Sequence, residues 1–188
     1  MKARLRPMRR AQAGATLIEI LVSMLILMFG LLGLVGVMVQ SQRAQVEAFQ
    51  REQAMLIAQD MVNRITVNKG VAGCYVLATY LGVDNTTPPV STSCASGTSA
   101  QKTRFANDMS DWLTMLQGAA TAVGTSSVGG VPDARGCITK DATSGIYQVS
   151  VVWQGSVSSS APPAGITCGN TKYVPDESRR AVALTVLL

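Results

Sequence analysis

The sequence predicts an α+β fold with a long N-terminal helix, a second helix and a small C-terminal antiparallel β-sheet, in which disulfides close the loops. An uncharged apolar run from Ile20 to Val39 continues into an amphipathic stretch that holds neither Pro nor Gly as far as Val67. Apolar residues return at three- and four-residue intervals in the middle of the chain, which is helical spacing. In the last third, apolar and polar residues alternate, which is the period of a half-buried strand.

The first helix is expected to cover Thr16–Val67 and to have two halves. About 20 apolar residues are enough to span a bilayer as a helix, and Ile20–Val39 meets that length without a charge. The second half carries an apolar stripe at helical spacing: Val46, Phe49, Ala54, Ile57, Ala58, Met61 and Ile65. The helix should stop near Asn68-Lys69-Gly70, because a cation and a glycine suit a helix C-terminus.

The middle of the chain is expected to hold loops and a second helix. Residues 70–101 are rich in turn-forming residues. The second helix is expected over Lys102–Val123, ended by Gly124, with an apolar stripe that belongs to the core: Phe105, Met109, Trp112, Leu116, Ala119 and Val123. A Ser/Gly-rich loop, Thr125–Gly130, follows it.

The predicted sheet comes from three segments of the last third. The stretch "GCITK", Gly136–Lys140, is a short strand. In the second strand, apolar residues alternate with polar ones, and the apolar residues are Tyr147, Val149, Val151 and Trp153. The last strand has four apolar residues on one face: Val182, Leu184, Val186 and Leu188. Such faces need cover, so the sheet is expected to lie on the second half of the first helix.

Glu19 is an ionisable residue at the front of the apolar run. A charged side chain inside a membrane span costs about 2.5–3.5 kcal/mol on insertion scales, so Glu19 requires a partner.

Five of the 16 basic residues precede Gly14, and no acidic residue lies among them: Lys2, Arg4, Arg6, Arg9 and Arg10. The remaining 11 basic residues balance the 11 acidic ones. This basic cluster predicts a cytoplasmic N-terminus and an exported C-terminal body, and the neutral remainder gives no reason to expect nucleic acid as a partner.

The four cysteines are Cys74, Cys94, Cys137 and Cys168. An even number in an exported body indicates two disulfides, for which three connectivities are possible. The sequential pairing, Cys74–Cys94 and Cys137–Cys168, is preferred because both loops are short and rich in Ser, Gly and Pro. Zinc binding is not indicated, because the chain has no Cys-x-x-Cys pair and no His.

No pattern in the sequence indicates catalysis, a cofactor or a metal. The absence of His excludes Ser–His and Cys–His catalysis, and no phosphate-binding or dinucleotide glycine motif occurs. Asp108 and Asp111 share a helix face, which is interpreted as a solvated acidic surface. The cations Lys172, Arg179 and Arg180 are expected to be neutralised locally, because Asp176 and Glu177 lie among them.

Three interpretations of the first 40 residues compete. A secretory signal peptide places its small-residue cleavage site after the apolar core, whereas Ala11-Gln12-Ala13 precedes it here. A plain signal anchor leaves Glu19 without a role. The segment Gly14-Ala15-Thr16-Leu17-Ile18-Glu19, between a basic leader and the apolar run, resembles the signal of type IV pilins and pseudopilins.

This resemblance implies that a membrane prepilin peptidase cuts between Gly14 and Ala15 and methylates the new amine of Ala15. Residues 1–14 would be a removed leader, 15–39 a membrane-spanning and assembly segment, and 40–188 a periplasmic or extracellular pilin head. The resemblance also implies that Glu19 faces the terminal amine of a neighbouring subunit; the alternative is an interfacial carboxylate that snorkels. Ala15 departs from the family, which most often has an aromatic residue there.

Over residues 9–40 the chain is most similar to the PilV group of type IV minor pilins, with weaker similarity at Gly73-Cys74-Tyr75 and in the strand-like C-terminus. The resemblance implies a pilin-like fold and a non-enzymatic subunit that primes pili or lies near their tip, supporting pilus biogenesis, twitching motility and adhesion. Its partners would be other minor pilins, the major pilin, the prepilin peptidase, the inner membrane and a tip adhesin. It would leave the inner membrane for the cell-surface pilus. The alternatives are a minor pseudopilin of type II secretion and, more distantly, a membrane-tethered periplasmic binding module or enzyme.

Overall fold

The computed structural model describes residues 14, 16–118, 122–123, 126–127 and 130–188. Its helices and strands are α1 Leu17–Val67, α2 Ser99–Leu116, β1 Leu81–Gly82, β2 Ala122–Val123, β3 Ser126–Ser127, β4 Arg135–Lys140, β5 Tyr147–Gln154 and β6 Arg179–Val186, with 3₁₀ turns at Lys69–Tyr75, Ser91–Ser93 and Asp176–Ser178. The chain divides into two compact units, one ending at Arg43 and one comprising Ala44–Leu188. The second unit is called the head below.

The first helix is confirmed, beginning at Leu17 and ending at Val67. Within the head, its buried face repeats every three or four residues and consists of Ala54, Ile57, Ala58, Met61 and Ile65. Val46 and Phe49, which the sequence pattern placed on the same stripe, are 49% and 60% exposed. The apolar stripe therefore begins earlier along α1 than the face that the rest of the head buries.

The predicted antiparallel sheet is confirmed, with strand order β1-β4-β5-β6. Cys137 of β4 pairs with Ser150 of β5, and Ser150 pairs with Ala183 of β6. Because side chains alternate between the two faces of a strand, one face of β4 and β5 enters the main core with the buried residues of α1 and α2. The core face of these two strands consists of Ile138, Tyr147, Val149, Val151 and Trp153. The Trp112 indole N–H of α2 donates to the Ile57 carbonyl of α1 at 3.1 Å and ties the helices together.

The second helix is shorter at its C-terminal end than predicted. Thr98 and Gln101 form a capping box, in which the Gln101 N–H donates to Thr98 Oγ1 at 3.3 Å and the Thr98 N–H donates to Gln101 Oε1 at 2.9 Å. The helix ends at Leu116 because Gly118 takes a left-handed conformation, with φ of 69°. The expected end at Val123 is wrong, since Val123 pairs with Ser126 in a short hairpin.

That hairpin also places Ser126–Ser127 in a strand, where a loop was expected from Thr125 to Gly130. Ala119, which the periodicity placed on the helix stripe, lies outside the described residues.

Two disulfides join Cys74 to Cys94 and Cys137 to Cys168. This is the sequential pairing preferred on the basis of loop length. The first bond closes the loops between α1 and α2, and the second ties β4 to the long loop between β5 and β6. The second bond therefore holds the β5–β6 loop against the sheet, whereas the first joins two non-strand segments to each other.

A second, smaller core lies on the other face of the sheet. It consists of Val152 of β5 with Cys168 and Tyr173 of the β5–β6 loop, packed against Tyr80 and Ala181. The Tyr173 hydroxyl donates to the Asp133 carbonyl at 2.7 Å, which fixes this loop on the sheet. Part of the sheet face that points away from the main core is therefore covered.

Candidate functional site

Gly14 lies in the open at the start of the described chain. It is exposed, and no heavy atom of the described residues, its chain neighbours aside, lies within 4 Å of the position that a Cβ would take. The basic leader residues and Ala15 lie outside the described residues. Around the predicted cleavage position, the structure thus shows a Gly14 that none of the described residues covers.

Thr16 caps the N-terminus of α1. The Glu19 backbone N–H donates to the Thr16 carbonyl at 3.0 Å and lies 3.4 Å from Thr16 Oγ1. The segment Thr16-Leu17-Ile18-Glu19 has the Thr-x-x-Glu pattern of a capping box. The cap was missed at the level of sequence, although this pattern is its signal.

The Glu19 carboxylate has no hydrogen-bond or ion-pair partner among the residues that the structure describes, and the residue is exposed. Only its carbonyl is used locally, where it accepts from Ser23 Oγ at 2.7 Å. A negative charge in the first helical turn is favoured by the partial positive charge of the helix N-terminus, by about 0.3–1 kcal/mol. Within the described part of the chain, the carboxylate is therefore left without a counter-charge.

Apolar side chains surround Glu19 and continue along α1. Every residue from Leu17 to Val39 is exposed in the structure. By length and composition, α1 contains one stretch able to cross a membrane. A predominantly apolar exposed surface of this length is typical of a contact with lipid or protein.

The sequence suggested that Asp108 belongs to a solvated acidic surface, and the structure shows that this is wrong. It is buried on α2, where Oδ2 accepts from the Tyr75 hydroxyl at 2.6 Å and Oδ1 lies 3.0 Å from Arg64 Nη1. Burial, together with the hydrogen bond to Asp108, raises the pKa of Tyr75 well above its usual range. Asp111 is exposed and also pairs with Arg64. The two carboxylates thus hold the end of α1 to α2.

The three C-terminal cations are all paired, but only Arg179 is neutralised locally, as had been expected for all three. Arg179 pairs with Asp176 at 2.7 Å. Lys172 pairs with Asp84 at 3.3 Å and Arg180 with Glu47 at 3.4 Å, and both carboxylates are distant in sequence. Each of these three cations therefore already has a carboxylate partner and is not a free site for an anion.

Arg135 is a buried charge that the sequence did not single out. Its guanidinium lies 4.9 Å from the Tyr173 ring centre and 5.5 Å from that of Tyr80, and it pairs with Asp133 at 2.8 Å and Asp84 at 3.0 Å. Burial opposes ionisation of Asp84, but hydrogen bonds from Arg135, Tyr80 and Lys172 outweigh it and hold the pKa of that carboxyl well below its usual range. Burial raises the pKa of Tyr173 to about 12.

The charged clusters described above consist of ion pairs and hydrogen bonds between neighbouring elements. Within the described part of the chain, no three His, Cys, Asp or Glu residues are placed to hold a metal ion. Each buried charge described above is paired, which is typical of a structural role.

A family model for the prokaryotic N-terminal methylation motif matches residues 9–35. No curated protein and no solved structure matches the chain. The motif indicates a type IV pilin or pseudopilin, and it implies processing by a prepilin peptidase and assembly with other pilin subunits. Together with the fold, it favours a structural subunit over an enzyme.

Proposed function

We propose that this chain is a minor pilin, a structural subunit that primes type IV pili or is incorporated near their tip. The observation that carries the proposal is the methylation motif at residues 9–35, continuous with a fully exposed apolar helix. The choice of a minor pilin of the PilV group rests on the resemblance of residues 9–40. The role would support pilus biogenesis, twitching motility and adhesion, with other minor pilins, the major pilin and a tip adhesin as partners.

The peptidase would cut between Gly14 and Ala15 and methylate the amine of Ala15. The exposed Gly14 supports this assignment, because a glycine that none of the described residues covers allows an extended chain to enter a peptidase. Cleavage leaves the Thr16 cap intact, so α1 keeps its N-terminal hydrogen bonds after processing. Residues 15–39 would then hold the subunit in the inner membrane, with residues 40–188 on the periplasmic side.

Glu19 would pair with the terminal amine of a neighbouring subunit. Two opposite charges attract far more strongly in hydrocarbon than in water, and an unpaired carboxylate is disfavoured there. The carboxylate has no partner among the described residues of its own chain, which is the condition that an intermolecular pair requires. The pair would set the axial register of α1 as the subunit leaves the membrane for the filament.

The decisive experiment is N-terminal mass analysis of the protein from membranes and from sheared filaments. We expect methylated Ala15 in both fractions, and Gly14→Val should leave the full-length precursor in the membrane. Gly73→Val is a matched control, because Gly73 also has no heavy atom near its Cβ position but lies far from the leader. An intact leader on functional protein would overturn the assignment.

A deletion strain separates the two assemblies that use this motif. Loss of pili and of twitching, with protein secretion intact, is expected. The opposite phenotype would make the chain a minor pseudopilin of type II secretion, and unchanged pili and secretion would favour a membrane-tethered module.

A further inference from the structure

The sheet face that points away from the main core carries a cleft of about 240 Å³. Its floor is formed by Cys137 and Thr139 of β4 and by Gln148 and Ser150 of β5, and its walls by residues 77–80 and 167–170. The Cys137–Cys168 disulfide joins the floor to one wall. The cleft is therefore held open by covalent and β-sheet geometry and does not need a ligand to form.

Unpartnered polar side chains line this cleft. Ser150 is only 4% exposed, and its hydroxyl makes no hydrogen bond to any described residue. The same lack of a side-chain partner within the described chain holds for Thr139, Gln148, Thr167 and Asn170. Polar groups in such positions are normally hydrogen-bonded, so the unused hydrogen-bonding capacity of this hydroxyl faces the cleft, where a ligand or water can meet it.

The lining is uncharged. The two cations that lie over the ring of the lining residue Tyr80 are each paired, Arg135 with Asp133 and Lys172 with Asp84. A ligand recognised through its charge, such as a phosphate or a carboxylate, would find no counter-charge on the cleft surface. Hydroxyl and amide groups donate and accept hydrogen bonds equally, as the adjacent hydroxyls of a sugar also do.

From this geometry we propose that the cleft binds one neutral sugar residue of a glycan. Its volume is below the range of about 300–1,000 Å³ of drug-sized ligand sites, which suits a single ring. A peptide strand fits less well, because strand addition needs a free sheet edge. β5 offers none, because it is paired with β4 and β6. The outer edge of β4 is covered by β1 at Arg135 and Gly136 and by Leu77, whose N–H donates to the Ile138 carbonyl at 2.9 Å. The inference concerns the head alone and does not depend on which assembly it serves.

The test uses the full chain in a detergent without a sugar headgroup and measures saturation-transfer NMR signals. The probes are glucose, galactose, mannose and N-acetylglucosamine, with glucose 6-phosphate and trialanine as charged and peptide comparisons. Gln148→Ala removes a lining amide, and Asn170→Asp adds a charge at nearly constant shape. Gln154→Ala is the matched control, because Gln154 faces the same way on β5 and does not line the cleft.

We expect at least one neutral sugar to bind. Gln148→Ala should weaken that binding by about 3- to 10-fold, the value of one or two hydrogen bonds, and Gln154→Ala should leave it unchanged. Asn170→Asp should weaken it as well. The absence of binding by all four sugars, equal binding of the sugar phosphate or of trialanine, or equal losses in the Gln148 and Gln154 variants would each overturn the proposal. Unchanged thermal midpoints of the variants identify a loss of binding as a local effect.

Discussion

Asp108 and Asp111 allow burial to be varied while distance and partner stay constant. Both lie on α2, and one carboxylate oxygen of each is 3.0 Å from the same atom, Arg64 Nη1. The Asp108 side chain is 11% exposed and that of Asp111 is 61% exposed. Only Asp108 also accepts from the buried Tyr75 hydroxyl, at 2.6 Å. We predict that Asp108→Ala destabilises the head strongly and that Asp111→Ala does not.

The expected magnitude follows from the groups that each change leaves behind. Asp108→Ala removes the acceptor of the Tyr75 hydroxyl, and an unsatisfied buried donor costs about 1–3 kcal/mol. Arg64 keeps Asp60 and Asp111, so the full loss of about 3–5 kcal/mol for a broken buried pair is not reached. The free energy of unfolding should fall by about 2–4 kcal/mol for Asp108→Ala. It should fall by less than about 1 kcal/mol for Asp111→Ala, which removes only an exposed ion pair with Arg64.

Urea unfolding of the full chain in detergent measures these losses, because Trp112 and Trp153 are buried and report the packing of the head. Tyr75→Phe completes a double-mutant cycle with Asp108→Ala. The coupling free energy should be about 1.5–3 kcal/mol, the range for a hydrogen bond to a charged group. Equal losses in the two Asp variants, or a coupling near zero, would refute the assignment of a buried hydrogen-bonded charge.

Three further predictions concern assembly, disulfides and pH. Glu19→Ala and Glu19→Gln should both be inserted and cleaved but should fail to co-purify with partner pilins, because each variant lacks the charge. Normal filament counts in strains carrying only these variants would show that Glu19 is an interfacial residue that snorkels. Non-reducing peptide mapping should recover Cys74–Cys94 and Cys137–Cys168, and reduction should remove roughly 3–4 kcal/mol per loop in the chain-entropy model; free thiols would contradict the pairing. Because the folded-state pKa of Asp84 is lowered, its contribution is present above about pH 4 and is lost as pH falls through that lowered pKa, so the thermal midpoint should drop on acidification. In Asp84→Asn the drop should be smaller, and an equal drop would exclude Asp84 as its source.

Local sequence determined the elements whose boundaries depend on near neighbours. The extent of α1, the position of β4 and the alternation of β5 and β6 follow from periodicity, since 3.6- and 2-residue repeats place side chains without knowledge of the rest of the chain. The order of basic leader, Gly14, Thr-Leu-Ile-Glu and apolar run is likewise a property of contiguous residues. It was enough to indicate the leader type that the family model matches at residues 9–35.

Tertiary structure decided the features that join distant segments. The apolar stripe of α1 could be read from sequence, but not that the head leaves Val46 and Phe49 exposed. The end of α2 was misplaced because the apolar spacing continued to Val123, whereas the chain turns at Gly118 and pairs Val123 with Ser126. Asp108 was taken for a surface residue because its partners, Arg64 and Tyr75, come from positions 44 and 33 residues away. A periodic pattern identifies which side of an element is apolar, but only packing determines what covers it, and therefore which polar side chains are buried, paired or left open in a cleft.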